Sequence, residues 1–262
     1  MSTLVRDDGL ADKVALISGA ASGIGQALAV AYARAGAHVV AGYYPDDPHD
    51  IAETVAAVET AGGRCVTRAL DVRDTAACEA IADEAIAVFG RLDIVVASAG
   101  ILRQSSIEAM RDEHWDDMLS VDLGGVMRLM RAGARVMTQP GAMVAVSSIA
   151  GGVYGWDNHA HYAAAKSGLM GLVRSLAVEL APRGIRVNTV VPGLIETPQS
   201  RDPVNSLGPD GLASAAGNIP LGRVGSAEEV ARVIQFLTDD NAAYVTGQEF
   251  VVDGGLTVKW PS

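Results

Sequence analysis

Cysteine is almost missing. Cys65 and Cys78 are the only two in 262 residues, with neither CxxC nor zinc-finger spacing. That excludes a disulfide framework and a thiolate metal centre, and fits free thiols in a reducing cytoplasm. Positive charge is scarce as well: 20 Lys and Arg stand against 31 Asp and Glu, a net charge of −11. A nucleic-acid or anionic-membrane binder needs clustered Lys and Arg, so both classes are disfavoured. No stretch approaches the ~18 uninterrupted apolar residues of a membrane span. Met1 to Lys13 carries Arg6, Asp7, Asp8 and Asp12 and lacks the apolar core of a secretion signal, so a cytoplasmic location is expected. Of five histidines only His159 and His161 lie close together, and no carboxylate or thiol cluster joins them. No metal site is expected.

What is present is apolar and alternating. Half the chain, 49%, is hydrophobic, and its length suits one α/β domain over 1–262. Short β-branched runs at Val14–Ile17, His38–Ala41, Cys65–Leu70, Ile94–Ala97, Met143–Val146, Arg186–Val191 and Glu249–Val252 read as strands. Ala-rich stretches at Ile24–Ala35, Ile51–Ala61, Thr75–Phe89, Glu113–Met137, Tyr162–Leu180 and Ala227–Leu237 read as helices. The strands lack polar alternation, as strands covered on both faces do. The expected fold is a Rossmann-like, doubly wound, seven-stranded parallel sheet with helices on both faces. Residues 197–220, with Pro203, Gly208, Pro209, Gly211 and Gly217, read as an irregular lid.

Between the first strand and helix lies Ser18-Gly19-Ala20-Ala21-Ser22-Gly23-Ile24-Gly25. Gly19 permits a tight turn, Gly23 lets backbone approach a pyrophosphate, and Gly25 lets helix and strand pack closely. Free N–H groups at the helix start favour an anion. The second strand ends at Tyr43, where a dinucleotide's adenosine ribose belongs. Asp46 and Asp47 follow, and no Lys or Arg occurs in 18–25 or 39–50. A 2′-phosphate facing carboxylates without a cation is repelled, so NAD is favoured, with NADP not excluded.

Tyr162 and Lys166 stand at i and i+4 near a helix start and project from one face. A nearby ammonium is expected to lower the phenol pKa toward the working range of an acid/base, against the opposing effect of burial. Ser147-Ser148 closes a strand at the sheet edge where α/β proteins bind ligands.

Taken in order along the chain, these motifs resemble the short-chain dehydrogenase/reductase family, from Lys13 to Gly255. The glycine turn matches the family's cofactor loop, with Ser22 and Ile24 inside it. Asp71-Val72 matches the pair that holds adenine. Ser98-Ala99-Gly100 matches the tail of the family's NNAG motif, with Ala97-Ser98 in place of its two Asn. Pro192-Gly193 with Ile195 and Thr197 matches the segment that binds the nicotinamide carboxamide, and Val252-Asp253-Gly254-Gly255 matches the C-terminal signature. The resemblance implies hydride transfer between a nicotinamide and a carbonyl or secondary alcohol, with Tyr162 as acid/base, Ser148 bonding the substrate oxygen, and Lys166 binding the nicotinamide ribose and lowering the Tyr162 pKa. Asp122 occupies the place of the family's fourth catalytic residue, usually Asn, whose backbone carbonyl holds a water leading to the Lys. The resemblance also implies a homotetramer built on the two long helices and the last strand.

The Ser148–Tyr162 spacing exceeds that of many relatives by one residue, and a bulge within Tyr154–His161 is expected. Val153, Tyr154, Trp156 and His159 are candidate pocket walls, half of them at most touching substrate. His161 is assigned a structural role, because adjacent helix residues do not face each other. Arg128, Arg131 and Arg135 form a basic stripe. It reads as a solvated or subunit-facing surface, or as a docking face for an acidic carrier protein. Four functions stay open: an alcohol/ketone oxidoreductase on small molecules, an NADPH-dependent 3-oxoacyl-carrier-protein reductase, a nucleotide-sensing protein on the same fold, and a lyase or epimerase using the same pocket.

Overall fold

The computed structural model describes residues 9–259; Arg6, Asp7 and Asp8 of the acidic N-terminal stretch lie outside the described residues. Nine strands and eight α-helices alternate along them: β1 Val14–Ser18, α1 Gly23–Arg34, β2 His38–Tyr43, α2 Ile51–Thr60, β3 Cys65–Ala69, α3 Thr75–Phe89, β4 Ile94–Ala97, α4 Asp112–Leu119, α5 Val126–Val136, β5 Gly141–Val146, α6 Ala160–Leu180, β6 Ile185–Pro192, β7 Ile195–Glu196, α7 Gly208–Ala216, β8 Gly225–Ser226, α8 Ala227–Thr238 and β9 Glu249–Val252. Seven strands form one sheet in the order β3-β2-β1-β4-β5-β6-β9, and every neighbouring pair is parallel. The expected doubly wound sheet is present. The two-residue β7 and β8 pair separately beside it.

Side-chain alternation along the strands divides the core. Val14 and Leu16 of β1 join Ile81, Leu129, Met143 and Leu169 on the face covered by α3, α5 and α6. Ala15 and Ile17 point the other way, to Leu28, Tyr32, Val58 and Ile234 on the face covered by α1, α2 and α8. Both sets are buried, which is why the strand sequences show no polar alternation. The strand order reverses between β1 and β4, so the carboxyl ends of these strands flank the crevice where such sheets take ligands.

Two expectations need correction. The stretch 113–137 is not one helix. α4 and α5 are separated by a π-helical segment, Ser120–Gly125. It ends at Gly125, which packs closely on Val72: an added Cβ would lie 2.6 Å from that side chain. Arg128 Nη1 donates to the carbonyl of Ser120 at 3.1 Å, at the start of that segment. The lid is not wholly irregular either, because α7 lies inside it and buries Leu212.

Candidate active site

One cleft of about 920 Å³ opens at the carboxyl ends of the strands, near the upper end of the ~300–1,000 Å³ usual for ligand pockets. It is lined by Gly19, Ser22, Gly23, Ile24, Gly25, Asp71, Val72, Ser98, Ala99, Gly100, Asp122, Ser148, Tyr162, Lys166, Pro192, Gly193, Ile195 and Thr197. Every site residue expected from the sequence is thus brought together, except Tyr43.

The glycine turn has the shape a pyrophosphate needs. Gly19 and Gly23 have φ of +68° and +54°, in the left-handed region that favours glycine. A Cβ on Gly19 would come within 2.9 Å of Ala99 Cα, and one on Gly25 would run into the Gly19 carbonyl. The turn is braced from both sides. Ser18 Oγ accepts from the N–H groups of Ser98 and Ala99, at 3.2 and 3.1 Å. Buried Thr54 donates to the Ala20 carbonyl at 2.9 Å, and Gln26 Nε2 donates to Thr54 at 3.0 Å. Ser22, Gly23 and Ile24 place the first turn of α1 at the cleft, where its backbone N–H groups lack intrahelical acceptors and can meet an anion.

At the adenosine end the structure corrects the sequence reading. Tyr43 is the last residue of β2, opposite Ala69, and the cleft is lined instead by Tyr44 and Asp47. Successive residues of an extended chain point to opposite sides, and a one-residue step exchanges the two tyrosines. A cation is also present that inspection of 18–25 and 39–50 could not reveal. Arg73 Nη2 bonds Asp71 Oδ2 at 2.8 Å and Nη1 bonds Asp117 at 3.1 Å. Its guanidinium carbon lies 5.9 Å from the centre of the Tyr44 ring. The hydrogen bonds from Arg73 hold the Asp71 carboxyl below the usual range. Only the Asp71-Val72-Arg73 adjacency hinted at this cation.

Ser148, Tyr162, Lys166 and Asp122 meet on the cleft floor. Ser148 follows β5 and accepts from Ala150 N–H at 3.2 Å, closing a short turn over Ile149–Gly151. Gly151 lets that turn lie against α6, since a Cβ there would lie 2.7 Å from the Lys166 backbone. Ser147 Oγ donates to the Lys166 carbonyl at 3.0 Å. Lys166 Nζ sits 3.2 Å from the Val146 carbonyl, 3.1 Å from Asp122 Oδ2 and 5.6 Å from the Tyr162 ring centre. Asp122 is fully buried within the π segment, and its Oδ1 accepts from Ile101 N–H at 2.8 Å. π-helical turns recur at functional sites because they aim a side chain out of helical register.

The electrostatics differ from the simple Tyr–Lys pair expected. Burial raises the Tyr162 phenol above its ordinary value. Lys166 and the neighbouring Ser148 hydroxyl act downward, while Asp122 adds to the rise. Burial likewise raises the Asp122 carboxyl in spite of Lys166. For Lys166, burial acts downward, but Asp122 and Tyr162 outweigh it and the ammonium is raised. Lys166 therefore faces the Asp122 carboxyl as well as the Tyr162 phenol.

Around the substrate end, Tyr154 and Trp156 line the cleft, whereas Val153 and His159 do not. His159 stacks on Trp156 at 3.9 Å and its ring nitrogens face the carbonyls of Asp157 and Asn205 at 2.6 and 3.3 Å, tying this loop to the lid. Asn158, with φ of +58°, lies in the stretch expected to bulge. His161 is buried outside the cleft lining, and burial lowers its pKa, so it is no rival base. The basic stripe is engaged rather than free: Arg131 reaches Thr75 at 3.3 Å and Arg135 bonds Asp83 at 2.6 Å, both on α3. Thr197 is held in a tight turn with Ser200, whose Oγ accepts from Thr197 N–H at 2.9 Å. Among the described residues no group of three His, Cys, Asp or Glu is placed to hold a metal, and no helix is long and apolar enough to cross a membrane.

A glycine turn at the β1–β4 reversal, with Ser, Tyr and Lys converging beyond it, defines a dinucleotide-binding α/β oxidoreductase. Comparison with known proteins places it more narrowly. The family model described as enoyl-(acyl carrier protein) reductase matches residues 19–257. The chain is 41% identical to cis-4-hydroxycyclohexanecarboxylate dehydrogenase of Sinomonas cyclohexanicum, covering 95% of this chain and 98% of that one. It is 39% identical to the 3-oxoacyl-[acyl-carrier-protein] reductase of Thermotoga maritima, covering 95% and 99%. A short-chain dehydrogenase/reductase from Mycobacterium marinum superposes with TM-score 0.91 at 31% identity, covering 98% and 100%. Carveol dehydrogenase from Mycobacterium avium, solved in complex with NAD, gives 0.88 at 36%, covering 95% and 99%. The chain belongs to the short-chain dehydrogenase/reductase family and is an oxidoreductase.

Proposed function

We propose that the protein interconverts a secondary alcohol and its ketone with NAD(H), through Tyr162. The observation that carries this reading is the convergence of Ser148, Tyr162 and Lys166 on the cleft that receives the first turn of α1. The glycine turn, whose φ values and close backbone approach suit only glycine, fits the pyrophosphate of a dinucleotide. A bound nicotinamide supplies the hydride acceptor or donor. In oxidation, Tyr162 Oη takes the proton that the alcohol hydroxyl releases; in reduction its O–H returns a proton to the carbonyl oxygen. Ser148 Oγ orients that oxygen. Lys166 stabilises the phenolate and offers a donor to the nicotinamide ribose, while Asp122 and the Val146 carbonyl hold its ammonium in place.

NAD is favoured over NADP. Asp47 and Asp71 line the adenosine end, and Arg73 is already matched by Asp71 and Asp117. A 2′-phosphate would add negative charge beside them. The test follows nicotinamide absorbance with both nucleotides and a panel of secondary alcohols that includes cis- and trans-4-hydroxycyclohexanecarboxylate, the substrates named for the two Sinomonas relatives. Tyr162→Phe is expected to lose turnover by at least about 100-fold, the usual size of an acid/base contribution, with nucleotide binding retained. Full turnover in that variant overturns the reading.

The 39% identity to 3-oxoacyl-carrier-protein reductases favours a second reading, reduction of a 3-oxoacyl thioester. Activity on an acetoacetyl thioester with NADPH would establish it. The whole chain acts as one catalytic domain on this proposal, in the cytoplasm and as a homotetramer. Val178 on α6 and Val251 on β9, 79% and 47% exposed, support the last point as uncovered apolar surface on the elements expected to pair. Light scattering of the purified protein tests it.

A further inference from the structure

We infer that the substrate carries a carboxylate on an apolar body, and that Arg103 and Lys259 receive it. This rests on the alcohol-oxidising reading of the same cleft. The body has an evident seat: Leu102, Met118, Ala150 and Tyr162 form one apolar cluster with Trp156 packed against it. Arg103 follows Leu102 directly in the loop after β4. Lys259 comes from the opposite end of the chain, past the turn Leu256–Val258. Tyr154 helps hold that turn at the cleft by donating to the Leu256 carbonyl at 3.1 Å. Both cations line the cleft.

Their charges are not spent within the protein. Among the described residues neither Arg103 nor Lys259 makes an ion pair. Arg103 Nη1 donates to the Leu102 carbonyl at 2.8 Å and Lys259 Nζ to the Asn218 carbonyl at 3.3 Å, which leaves most of their donors available. The carboxylates that act on Arg103 are Asp202 and Asp122. Asp202 accepts from Val204 N–H and Asn205 Nδ2, both at 2.8 Å, while Asp122 accepts from Ile101 N–H at 2.8 Å and is ion-paired with Lys166. The acidic residues lining the cleft are Asp47, Asp71, Asp117 and Asp122, at the adenosine end or on the floor; the substrate walls contribute none. In a chain with 31 acidic and 20 basic residues, a cleft wall that presents two cations without an ion-pair partner and no lining carboxylate selects for an anion. The guanidinium fork of Arg103 matches a carboxylate in particular.

The test measures binding of cyclohexanecarboxylate and of its uncharged amide to the enzyme loaded with NADH, alongside turnover of a hydroxycyclohexanecarboxylate and its methyl ester. The acid is expected to bind more tightly than the amide. Arg103→Gln and Lys259→Gln should each shrink that acid-to-amide preference about tenfold. Arg103→Lys should retain part of it, and Arg111→Gln, an exposed charge outside the cleft lining, should leave it intact. Equal binding of acid and amide, or a preference unchanged in both Gln variants, overturns the inference. If the neutral ester is oxidised as well as the acid, the anion requirement fails while the alcohol reading stands. If binding depends on the two cations but no alcohol is turned over, the anion site stands and the alcohol reading fails.

Discussion

Lys166 Nζ lies 3.1 Å from Asp122 Oδ2, and both side chains are buried on the floor of the cleft. The ammonium that should make Tyr162 acidic is therefore shared with a carboxylate. The π segment Ser120–Gly125 carries the Asp122 carboxyl and places it against Lys166.

Asp122→Asn should move the pH dependence of alcohol oxidation toward neutral pH. Oxidation needs the phenolate, whose population grows as pH rises through the Tyr162 pKa. Asp122 raises that pKa, so neutralising it frees Lys166 to act on Tyr162 alone. The pH profile of kcat checks this; an unmoved alkaline limb counts against it. Asp122→Ala should in addition lower stability by about 3–5 kcal/mol, because it removes the oxygens that accept from Ile101 N–H and face the buried Lys166 ammonium, whereas Asn keeps one. Denaturant unfolding separates the two variants.

Gly25→Ala should damage folding and nucleotide binding together. Alanine is the better helix former, yet its Cβ would run into the Gly19 carbonyl. The expected cost is about 1–3 kcal/mol, the range for overpacking. Thermal unfolding with and without NAD measures it, and a variant as stable as the parent would show that the turn shifts freely.

Replacing Asp47 by Asn should narrow the preference for NAD over NADP. Asp47 and Tyr44 line the adenosine end where Tyr43 does not. Tyr43→Phe should leave the preference where it was. The ratio of kcat/KM for the two nucleotides is the readout.

The α8 cap should make stability fall in acid. Ser226 Oγ accepts from Glu229 N–H at 3.3 Å, and Ser226 N–H donates to Glu229 Oε2 at 2.9 Å. Hydrogen bonds from Arg223 and from Ser226 N–H lower the Glu229 carboxyl to about 2. Because the folded value lies below the unfolded one, this stabilisation is present above the ordinary glutamate range and is lost as pH falls toward about 2. Glu229→Gln should flatten that acid limb of Tm against pH. Ser226→Ala should cost about 1 kcal/mol at neutral pH.

The chain's local chemistry determined the sheet and the floor of the site. Apolar runs without polar alternation marked strands buried on both faces, Gly19, Gly23 and Gly25 marked the phosphate turn, and helical periodicity placed Lys166 one turn beyond Tyr162. Each depends on neighbours close in sequence, so one-dimensional patterns carry it. α7 escaped notice because Gly208, Pro209 and Gly211 are poor helix formers. The π segment escaped because the apolar periodicity runs through it without a break, and the close packing of Gly125 on Val72 joins residues distant in the chain. Tyr44 rather than Tyr43, Arg73 against Asp71 and Asp117, and the pairing of Asp122 with Lys166 were decided by register and by crossings between elements. Those set which charges face each other in a buried cleft, and Coulomb energies there depend on distances that no linear spacing specifies.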